Sequence, residues 1–217
     1  MSGPTVVVLA KEPMPGLVKT RLTPPCTPAQ AAGLAEAALA DTLDAVLALA
    51  DVRPVLALRG RPGPWCPPKV PVLPQRGHGL DQRIAVALDD AVALAGGPVL
   101  LVGMDTPQLT AHDLADAHRQ LCSADAVLGD AADGGWWLLG LHAPDPALLL
   151  GVPMSASDTG ARQRERLRAH GLRVASAPVL RDVDTVADCA EVAALAPGGR
   201  FAATWREVCS QLERGAA

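Results

Sequence analysis

Strand and helix signals alternate along the entire chain, and this alternation limits the possible folds more than any other feature. Residues 5–10, TVVVLA, are β-branched and apolar on both faces, which is typical of a parallel strand buried within a sheet. After a loop rich in proline and glycine, residues 27–30, TPAQ, form a capping box with proline at the first helical position. The helix that begins there turns an apolar face inward and places Asp41 and Asp44 on the opposite side.

The rest of the chain continues this pattern. Caps and helical periodicity predict helices at 81–95, 110–121, 160–170, 185–195 and 201–214, and apolar runs predict strands at 55–58, 98–102, 124–128, 135–141 and 172–179. The proline-rich segment 61–74 is predicted as an irregular connection. Helices between strands imply right-handed crossovers, so we expect one three-layer α/β/α domain over residues 1–217 with a mainly parallel, mixed sheet. Such sheets bind ligands beyond the carboxyl ends of their strands.

Composition excludes several classes of protein. The chain has 217 residues, of which 49% are hydrophobic and 19% charged, and this is enough apolar surface for one folded domain. Acidic residues interrupt every apolar run before it reaches the roughly 18–20 residues of a membrane span. We therefore expect a soluble, cytoplasmic protein without membrane contact. A net charge of −4 and an aromatic content of 2% disfavour nucleic acid as a partner, because its binding needs basic or stacking surfaces.

The loop after the first strand concentrates positive charge in an acidic protein. Lys11, Lys19 and Arg21 fall within one short stretch that is stiffened by prolines and contains Gly16. Fixed cations beside free backbone N–H groups suit nucleotide phosphates, so we predict phosphate binding here. The loop is not a Walker motif, because Val18 stands where glycine must precede the lysine. A solvated basic loop is the alternative interpretation.

Aspartates follow two other strands at positions that suit a divalent cation. Asp105 follows the strand at 98–102 in a Gly/Pro turn, and Mg²⁺ takes one or two protein carboxylates while phosphate oxygens and water complete its shell. An Asx turn explains Asp105 equally well. Asp182 and Asp184 share a face of an extended segment, and either can supply a second carboxylate, although Asp184 also suits a helix N-cap. The expected cofactor is Mg²⁺ or Mn²⁺.

Residues 129–137 combine a carboxylate with two glycines and two tryptophans. Gly134 and Gly135, directly after Asp133, allow a ligand to approach the backbone closely. Trp136 and Trp137 must lie on opposite faces of any strand that contains them, so at most one lines a pocket and the other belongs to the core. We expect this segment on the substrate or acceptor side, with Trp136 as the tryptophan that lines it.

Four segments, in this order, resemble the bacterial rSAM/selenodomain-associated transferases, type one, which are often described as glycosyltransferases and are similar to the nucleotide-diphospho-sugar transferase (GT-A) fold. The resemblance covers about residues 5–195 and rests on AKEPMPGLVKTRL at 10–22, GMDTPQL at 103–109, GDAADGGWWLLGL at 129–141 and RDVDTVAD at 181–188. The first and third segments are highly specific. The second and fourth are shared more loosely with nucleotidyltransferases.

The resemblance implies a nucleotide bound across the early strands. Lys19 and Arg21 are then expected near its phosphates. Asp105 becomes a metal ligand, with Asp184 as its partner. Four further residues follow the family's pattern near the expected base or ribose: Gln75, Gly77, Gly79 and Arg83.

The sequence departs from that family in the expected acceptor region. Residues 153–156 read PMSA where the family has Pro-Trp-Ser-Thr, so that Ser155 is retained while its neighbours differ. Residues 136–137, WW, replace a Tyr-Tyr pair. The resemblance therefore says least about the identity of the acceptor. Ser155 is nevertheless expected to contact the acceptor.

Three functions fit these observations. In a Mg²⁺-dependent nucleotidyltransferase, a phosphate oxygen of an acceptor attacks the α-phosphorus of a nucleoside triphosphate and releases pyrophosphate, with Lys19, Arg21 and Asp105 balancing the developing charge. The basic first loop favours this reaction, because a triphosphate needs more cations than a sugar-nucleotide diphosphate. A glycosyltransferase would use the same site, with Asp133 at the donor sugar or acting as base. The third possibility is a non-catalytic nucleotide-binding protein.

Overall fold

The computed structural model describes residues 3–216, which form seven strands and six helices. The strands are β1 (Thr5–Lys11), β2 (Arg53–Arg59), β3 (Val72–Pro74), β4 (Val99–Gly103), β5 (Ala126–Ala131), β6 (Trp136–Leu141) and β7 (Val174–Leu180). The helices are α1 (Pro28–Leu47), α2 (Leu80–Ala95), α3 (Ala111–Gln120), α4 (Thr159–Ala169), α5 (Val186–Leu195) and α6 (Arg200–Ala216). The predicted three-layer α/β fold is confirmed.

The strands form one mixed sheet in the order β3-β2-β1-β4-β6-β5-β7. β1 pairs in parallel with both β2 and β4, and β5 pairs in parallel with β7. β6 runs antiparallel to its neighbours β4 and β5. The chain thus proceeds from β1 to one side of the sheet and later returns to place β4 on the other side. Adjacent carboxyl ends at such a reversal form the crevice where open α/β sheets bind ligands.

Helices cover both faces of the sheet because β1 is apolar on both. Val6 and Val8 pack in one cluster with α1 and α3, whereas Val7 packs on the opposite face with α2 and with Leu167 of α4. All three valines are at most 1% exposed. This is the environment that an uninterrupted β-branched run predicts for a central parallel strand.

Three predicted helix starts depend on local capping. Thr27, Thr110 and Thr185 each accept a hydrogen bond from the backbone N–H three residues later, and the side chain of that later residue caps the threonine in return. These boxes fix the starts of α1, α3 and α5. None of the helices within residues 3–216 has both the length and the apolar character needed to cross a bilayer.

One local prediction is wrong. Residues 61–74 are not wholly irregular, because β3 forms at their end and pairs in parallel with β2.

Asp41 lies away from the apolar face of α1 and is covered there by α6. Its side chain is 10% exposed, and its carboxylate accepts hydrogen bonds from the N–H groups of Arg200 and Phe201 at 3.0 and 2.9 Å. Asp41 therefore caps α6, which packs with α1 and α5 around a third apolar cluster.

Candidate active site

A cavity of about 800 Å³ lies at the carboxyl ends of β1 and β4. Twelve residues singled out from the sequence line it: Lys11, Lys19, Arg21, Gln75, Arg83, Asp105, Asp133, Gly135, Trp136, Ser155, Asp182 and Asp184. Four glycines singled out from the sequence lie outside its lining, namely Gly16, Gly77, Gly79 and Gly134. The cavity is where the strand order reverses, so the fold and the chemistry-bearing residues indicate the same place.

The backbone conformation of Lys19 directs its side chain inward. Lys19 is left-handed, with φ of 48°, and precedes a single turn of 3-10 helix at Thr20–Leu22. The neighbouring side chains Val18 and Leu22 are buried, at 8% and 0% exposure, and hold the loop against the protein. Lys19 is thereby fixed between two anchors, and its side chain is only 6% exposed.

Lys19 and Arg21 meet two carboxylates from other loops. The Lys19 ammonium forms an ion pair with Asp105 and lies 4.0 Å from Asp184 Oδ1. Arg21 Nη1 donates to Asp184 Oδ2 at 2.9 Å. The two carboxylates are about 40% exposed, so a ligand can reach them. The loops after β1, β4 and β7 therefore converge on one group of four charges.

Backbone contacts hold the loop after β7 in this place. The N–H of Val183 donates to the carbonyl of Asp105 at 2.9 Å, and the Lys19 ammonium donates to the Val183 carbonyl. Gln108 Nε2 donates to the Arg181 carbonyl at 2.7 Å. Residues 181–184 are thus fastened to the loop after β4, which positions Asp184 beside Asp105 without a ligand.

The half-buried carboxyl of Asp182 lies close to three other carboxylates. Burial and the nearby negative charges of Asp105, Asp133 and Asp184 raise the pKa of its carboxyl from 3.8 to about 7, and Lys19 only partly opposes this. The raised pKa thus reflects first the burial of Asp182 and then the other carboxylates that surround it.

The carboxylates suit a divalent metal that brings its own phosphate ligands. Within residues 3–216, no three His, Cys, Asp or Glu side chains converge as a complete metal cage. Asp105 and Asp184 instead offer oxygens to a single buried cation, and Mg²⁺ characteristically takes one or two protein carboxylates together with substrate phosphates. Of the two aspartates that the sequence left open, Asp184 is the one that contacts both Lys19 and Arg21.

Gln75 and Arg83 line the cavity on the side of β2 and α2. The amide nitrogen of Gln75 donates to the carbonyls of Ala10 and Ala57, at 2.7 and 2.8 Å, which fixes its orientation. Arg83 Nε donates to the carbonyl of Gly79 at 3.2 Å. Gly79 is the residue that precedes α2, so it shapes this wall without lining it.

The opposite end of the cavity is built from the β5–β6 turn and the segment before α4. Trp136 lines the cavity, whereas Trp137 is 2% exposed and donates from Nε1 to the Pro178 carbonyl at 2.9 Å. The two rings thus divide between site and core. Asp133, also in the lining, accepts a hydrogen bond from the N–H of Gly135 at 2.8 Å.

Thr159 shapes this end, although no sequence pattern indicated it. Its hydroxyl lies 2.9 Å from the Pro153 carbonyl and 2.8 Å from that of Ala156, and it accepts from the N–H of Ala156 at 3.1 Å. These contacts fold residues 153–156 so that Met154 and Ser155 line the cavity, with Ser155 at φ of 61°. This role depends on how residues 153–159 fold back on themselves and can be seen only in the structure.

The family model described as "Uncharacterized protein conserved in bacteria (DUF2064)" matches residues 33–156, which is more than half of the chain. The chain belongs to the DUF2064 family. The matched region contains Gln75, Arg83, Asp105, Asp133 and Ser155, while the basic loop and Asp184 lie outside it. No curated protein matches the sequence at a significant level.

Several solved structures share the fold of the DUF2064 chain. A protein of Desulfovibrio desulfuricans G20 assigned to the nucleotide-diphospho-sugar transferases is 25% identical, covers 99% of this chain and 98% of its own, and superposes with a TM-score of 0.88. CMP:2-keto-3-deoxy-manno-octonic acid synthetase, solved with CTP, is 13% identical over 90% of this chain and 99% of its own, with a TM-score of 0.53. Rv0371c of Mycobacterium tuberculosis H37Rv, solved with manganese, is 16% identical over 88% and 98%, with a TM-score of 0.52.

Proposed function

We propose that this DUF2064 protein is a nucleotidyltransferase that depends on a divalent metal. An oxygen of a phosphorylated acceptor attacks the α-phosphorus of a nucleoside triphosphate, a new O–P bond forms, and pyrophosphate leaves with the electron pair of the broken bond. The observation that carries the proposal is the meeting of Lys19, Arg21, Asp105 and Asp184 at the sheet's switch point. Phosphoryl chemistry needs this kind of charge placement more than a protein nucleophile.

Each member of this group has a role that follows from its position. Lys19 is held inside the cavity and offers a point charge to the phosphates. Arg21 has a side chain 74% exposed at the rim, so it contacts the more distal phosphate oxygens and the departing pyrophosphate. Asp105 and Asp184 would hold the metal. When bound, that metal neutralises phosphate charge and orients the triphosphate.

The remaining cavity walls are assigned to the two substrates. Gln75 and Arg83, beside β2 and α2, are proposed to contact the nucleoside. Asp133, Trp136 and Ser155 are proposed to contact the acceptor at the other end. Asp133 accepts a proton from an acceptor hydroxyl where the attacking group carries one.

The comparisons support a nucleotide-dependent transferase. A synthetase with this fold was solved with CTP, and another protein with this fold was solved with manganese. The motif resemblance to the rSAM/selenodomain-associated transferases, type one, adds a basic loop in the same position of the chain. Nucleotide and divalent metal therefore have precedents on this scaffold, and the charges described above supply a place for both.

Glycosyl transfer is the second candidate. The Desulfovibrio protein, which aligns over nearly the whole chain, is assigned to nucleotide-diphospho-sugar transferases. The same carboxylates and cations would then hold the nucleoside diphosphate of a nucleotide sugar, and Trp136 would lie against a sugar ring. The leaving group distinguishes the two reactions, because nucleotidyl transfer releases pyrophosphate and glycosyl transfer releases a nucleoside diphosphate.

Thermal denaturation followed by product analysis tests the proposal. Nucleoside triphosphates and nucleotide sugars are added singly, with and without Mn²⁺, to wild type, Asp105→Asn and Asp116→Asn. Asp116 is partly exposed on α3, forms an ion pair with Arg119 outside the cavity lining and is the matched control. A triphosphate with Mn²⁺ is expected to raise the Tm of wild type and of the control but not of Asp105→Asn, since only the folded state binds it.

The ligands that bind are then incubated with phosphorylated acceptors. Release of pyrophosphate supports nucleotidyl transfer, and release of a nucleoside diphosphate from a sugar nucleotide supports the second candidate. If no nucleotide raises the Tm of wild type in the presence of Mn²⁺, both enzymatic assignments are wrong.

A further inference from the structure

The surroundings of the Lys19 ammonium are those of a bound metal ion. The group is removed from solvent, with a side chain 6% exposed, and its polar contacts within residues 3–216 are all with oxygen atoms. It donates to the Val183 carbonyl, pairs with Asp105 and lies 4.0 Å from Asp184. Carboxylate and carbonyl oxygens are also the ligands that Mg²⁺ and Mn²⁺ prefer.

A lysine ammonium and a divalent metal cannot share this position. Both are compact cations, and each requires the same oxygens of Asp105 and Asp184. Repulsion between two such charges a few ångströms apart is strong where water is partly excluded. Metal binding therefore requires the ammonium to withdraw from the carboxylates.

Lys19 can withdraw by moving its side chain alone. Val18 and Leu22 anchor the loop on both sides, and the 3-10 turn after Lys19 is closed by a hydrogen bond from Leu22 N–H to the Lys19 carbonyl at 2.9 Å. The backbone thus stays in place while the four-carbon stem swings into the cavity. Nucleotide phosphates supply the new partner for the ammonium in that position.

We infer that Lys19 is an internal counter-ion that occupies the metal position in the nucleotide-free protein and transfers to the phosphates when metal and nucleotide bind together. The inference rests on the proposed function. Occupation of the metal position by Lys19 makes metal binding weak without nucleotide, because the metal must displace the ammonium when no phosphate is present to bind that ammonium. By linkage, nucleotide strengthens metal binding and metal strengthens nucleotide binding by the same factor.

The affinity for Mn²⁺ in the absence of nucleotide tests this inference. Free Mn²⁺ is measured by electron paramagnetic resonance in titrations of wild type, Lys19→Met, Lys19→Gln and Lys11→Met. Lys19→Gln keeps a donor for the Val183 carbonyl and serves if Lys19→Met does not fold. Lys11 is an exposed cation of the same cavity, so Lys11→Met controls for the loss of one positive charge.

Both Lys19 variants are expected to bind Mn²⁺ at least about tenfold more tightly than wild type, whereas Lys11→Met stays within about threefold. Adding Asp105→Asn to Lys19→Gln is expected to abolish the gain, which places the ion at the carboxylates. Mn²⁺ is also expected to raise the Tm of Lys19→Gln more than that of wild type.

Unchanged or weaker Mn²⁺ binding by both Lys19 variants, with measurable binding by wild type, overturns the internal counter-ion and leaves the proposed function standing. If neither wild type nor any variant binds Mn²⁺, and nucleotide with Mn²⁺ fails to raise the Tm of wild type, the counter-ion and the proposed metal site fall together.

Discussion

Arg21 Nη1 donates to Asp184 Oδ2 at 2.9 Å across 163 residues of chain. This contact joins the loop after β1 to the loop after β7. The ion pair between Lys19 and Asp105 joins the same loop after β1 to the loop after β4. Three loops from distant parts of the sequence are therefore assembled before any ligand arrives. The backbone of these loops is thus already in position when a phosphate enters, and only the Lys19 side chain has to change its partner.

We expect Arg21→Ala to affect turnover far more than stability. The Arg21 side chain is 74% exposed, and exposed ion pairs contribute about 0–1 kcal/mol. Loss of its charge at the departing phosphates should slow turnover by about 10–100-fold, less than the roughly 100–1,000-fold of a buried electrostatic donor, because Arg21 lies at the solvent-exposed rim. The urea midpoint and the steady-state rate are the two measurements.

Arg76→Ala provides the matched control for Arg21. Arg76 forms a similarly exposed pair with Asp90 at 2.7 Å, outside the cavity lining. The Arg76→Ala substitution should leave both the urea midpoint and the steady-state rate unchanged. A loss of rate in Arg76→Ala equal to that in Arg21→Ala would assign the effect to general surface charge.

Much of the fold could be predicted because its signals are local. The starts of α1, α3 and α5 follow from capping boxes that occupy four consecutive residues, and β1 follows from one β-branched run. β3 was missed, since a three-residue edge strand that ends in proline is stabilised by its pairing with β2 and not by its own pattern. The capping role of Asp41 was not predicted, because the helix that it caps begins 159 residues later.

The candidate site was predictable in its composition but not in its contacts. Residues after strands of a parallel sheet meet at one edge, so the basic loop, Asp105 and Asp184 could be grouped from the sequence. Their pairing depends on the left-handed backbone of Lys19 and on the Val183–Asp105 hydrogen bond, which no local pattern specifies. Gly16 illustrates a related limit of sequence patterns, because it lies in the motif and has φ of 77° but stands outside the cavity lining.

The raised pKa of Asp182 predicts a pH-dependent cost to folding. A carboxyl whose pKa is 3.8 when unfolded and about 7 when folded destabilises the native state progressively as pH rises between these values, because the unfolded chain ionises first. Asp182→Asn removes that cost. In the presence of a metal chelator, the variant should gain stability relative to wild type from pH 4 to pH 8, as measured by urea denaturation at each pH.

The same denaturation series can contradict the predicted pH dependence in two ways. A difference between Asp182→Asn and wild type that stays constant from pH 4 to pH 8 would show that the carboxyl ionises equally in both states. A difference that falls with increasing pH would show that Asp182 is stabilised as a carboxylate, by Lys19 above all.

Substitution of Trp137 should mainly lower stability, whereas substitution of Trp136 should mainly weaken substrate recognition. Trp137 is 2% exposed, and Trp137→Ala should lower the free energy of unfolding by about 3–5 kcal/mol, through the loss of packing and of its bond to Pro178. Trp136→Ala should cost less, because Trp136 is only partly buried, and should instead raise the KM for the acceptor. Urea denaturation and acceptor kinetics measure the two effects, and equal losses of stability would contradict the division between core and site.

Gly134 should tolerate no side chain, because the turn that it forms packs against the segment before α4. Its φ is 89°, a Cβ there would overlap the Ser157 backbone, and its carbonyl accepts from the N–H of Gly160 at 2.9 Å. Gly134→Ala should cost about 1–3 kcal/mol and slow turnover by displacing the acceptor end of the cavity. Gly33→Ala is the control: a Cβ at this position of α1 meets nothing within 4 Å, and the change should stabilise the helix by about 0.5–1 kcal/mol. Urea denaturation compares the two variants, and a neutral Gly134→Ala would mean that the turn and the loop are not packed together in solution.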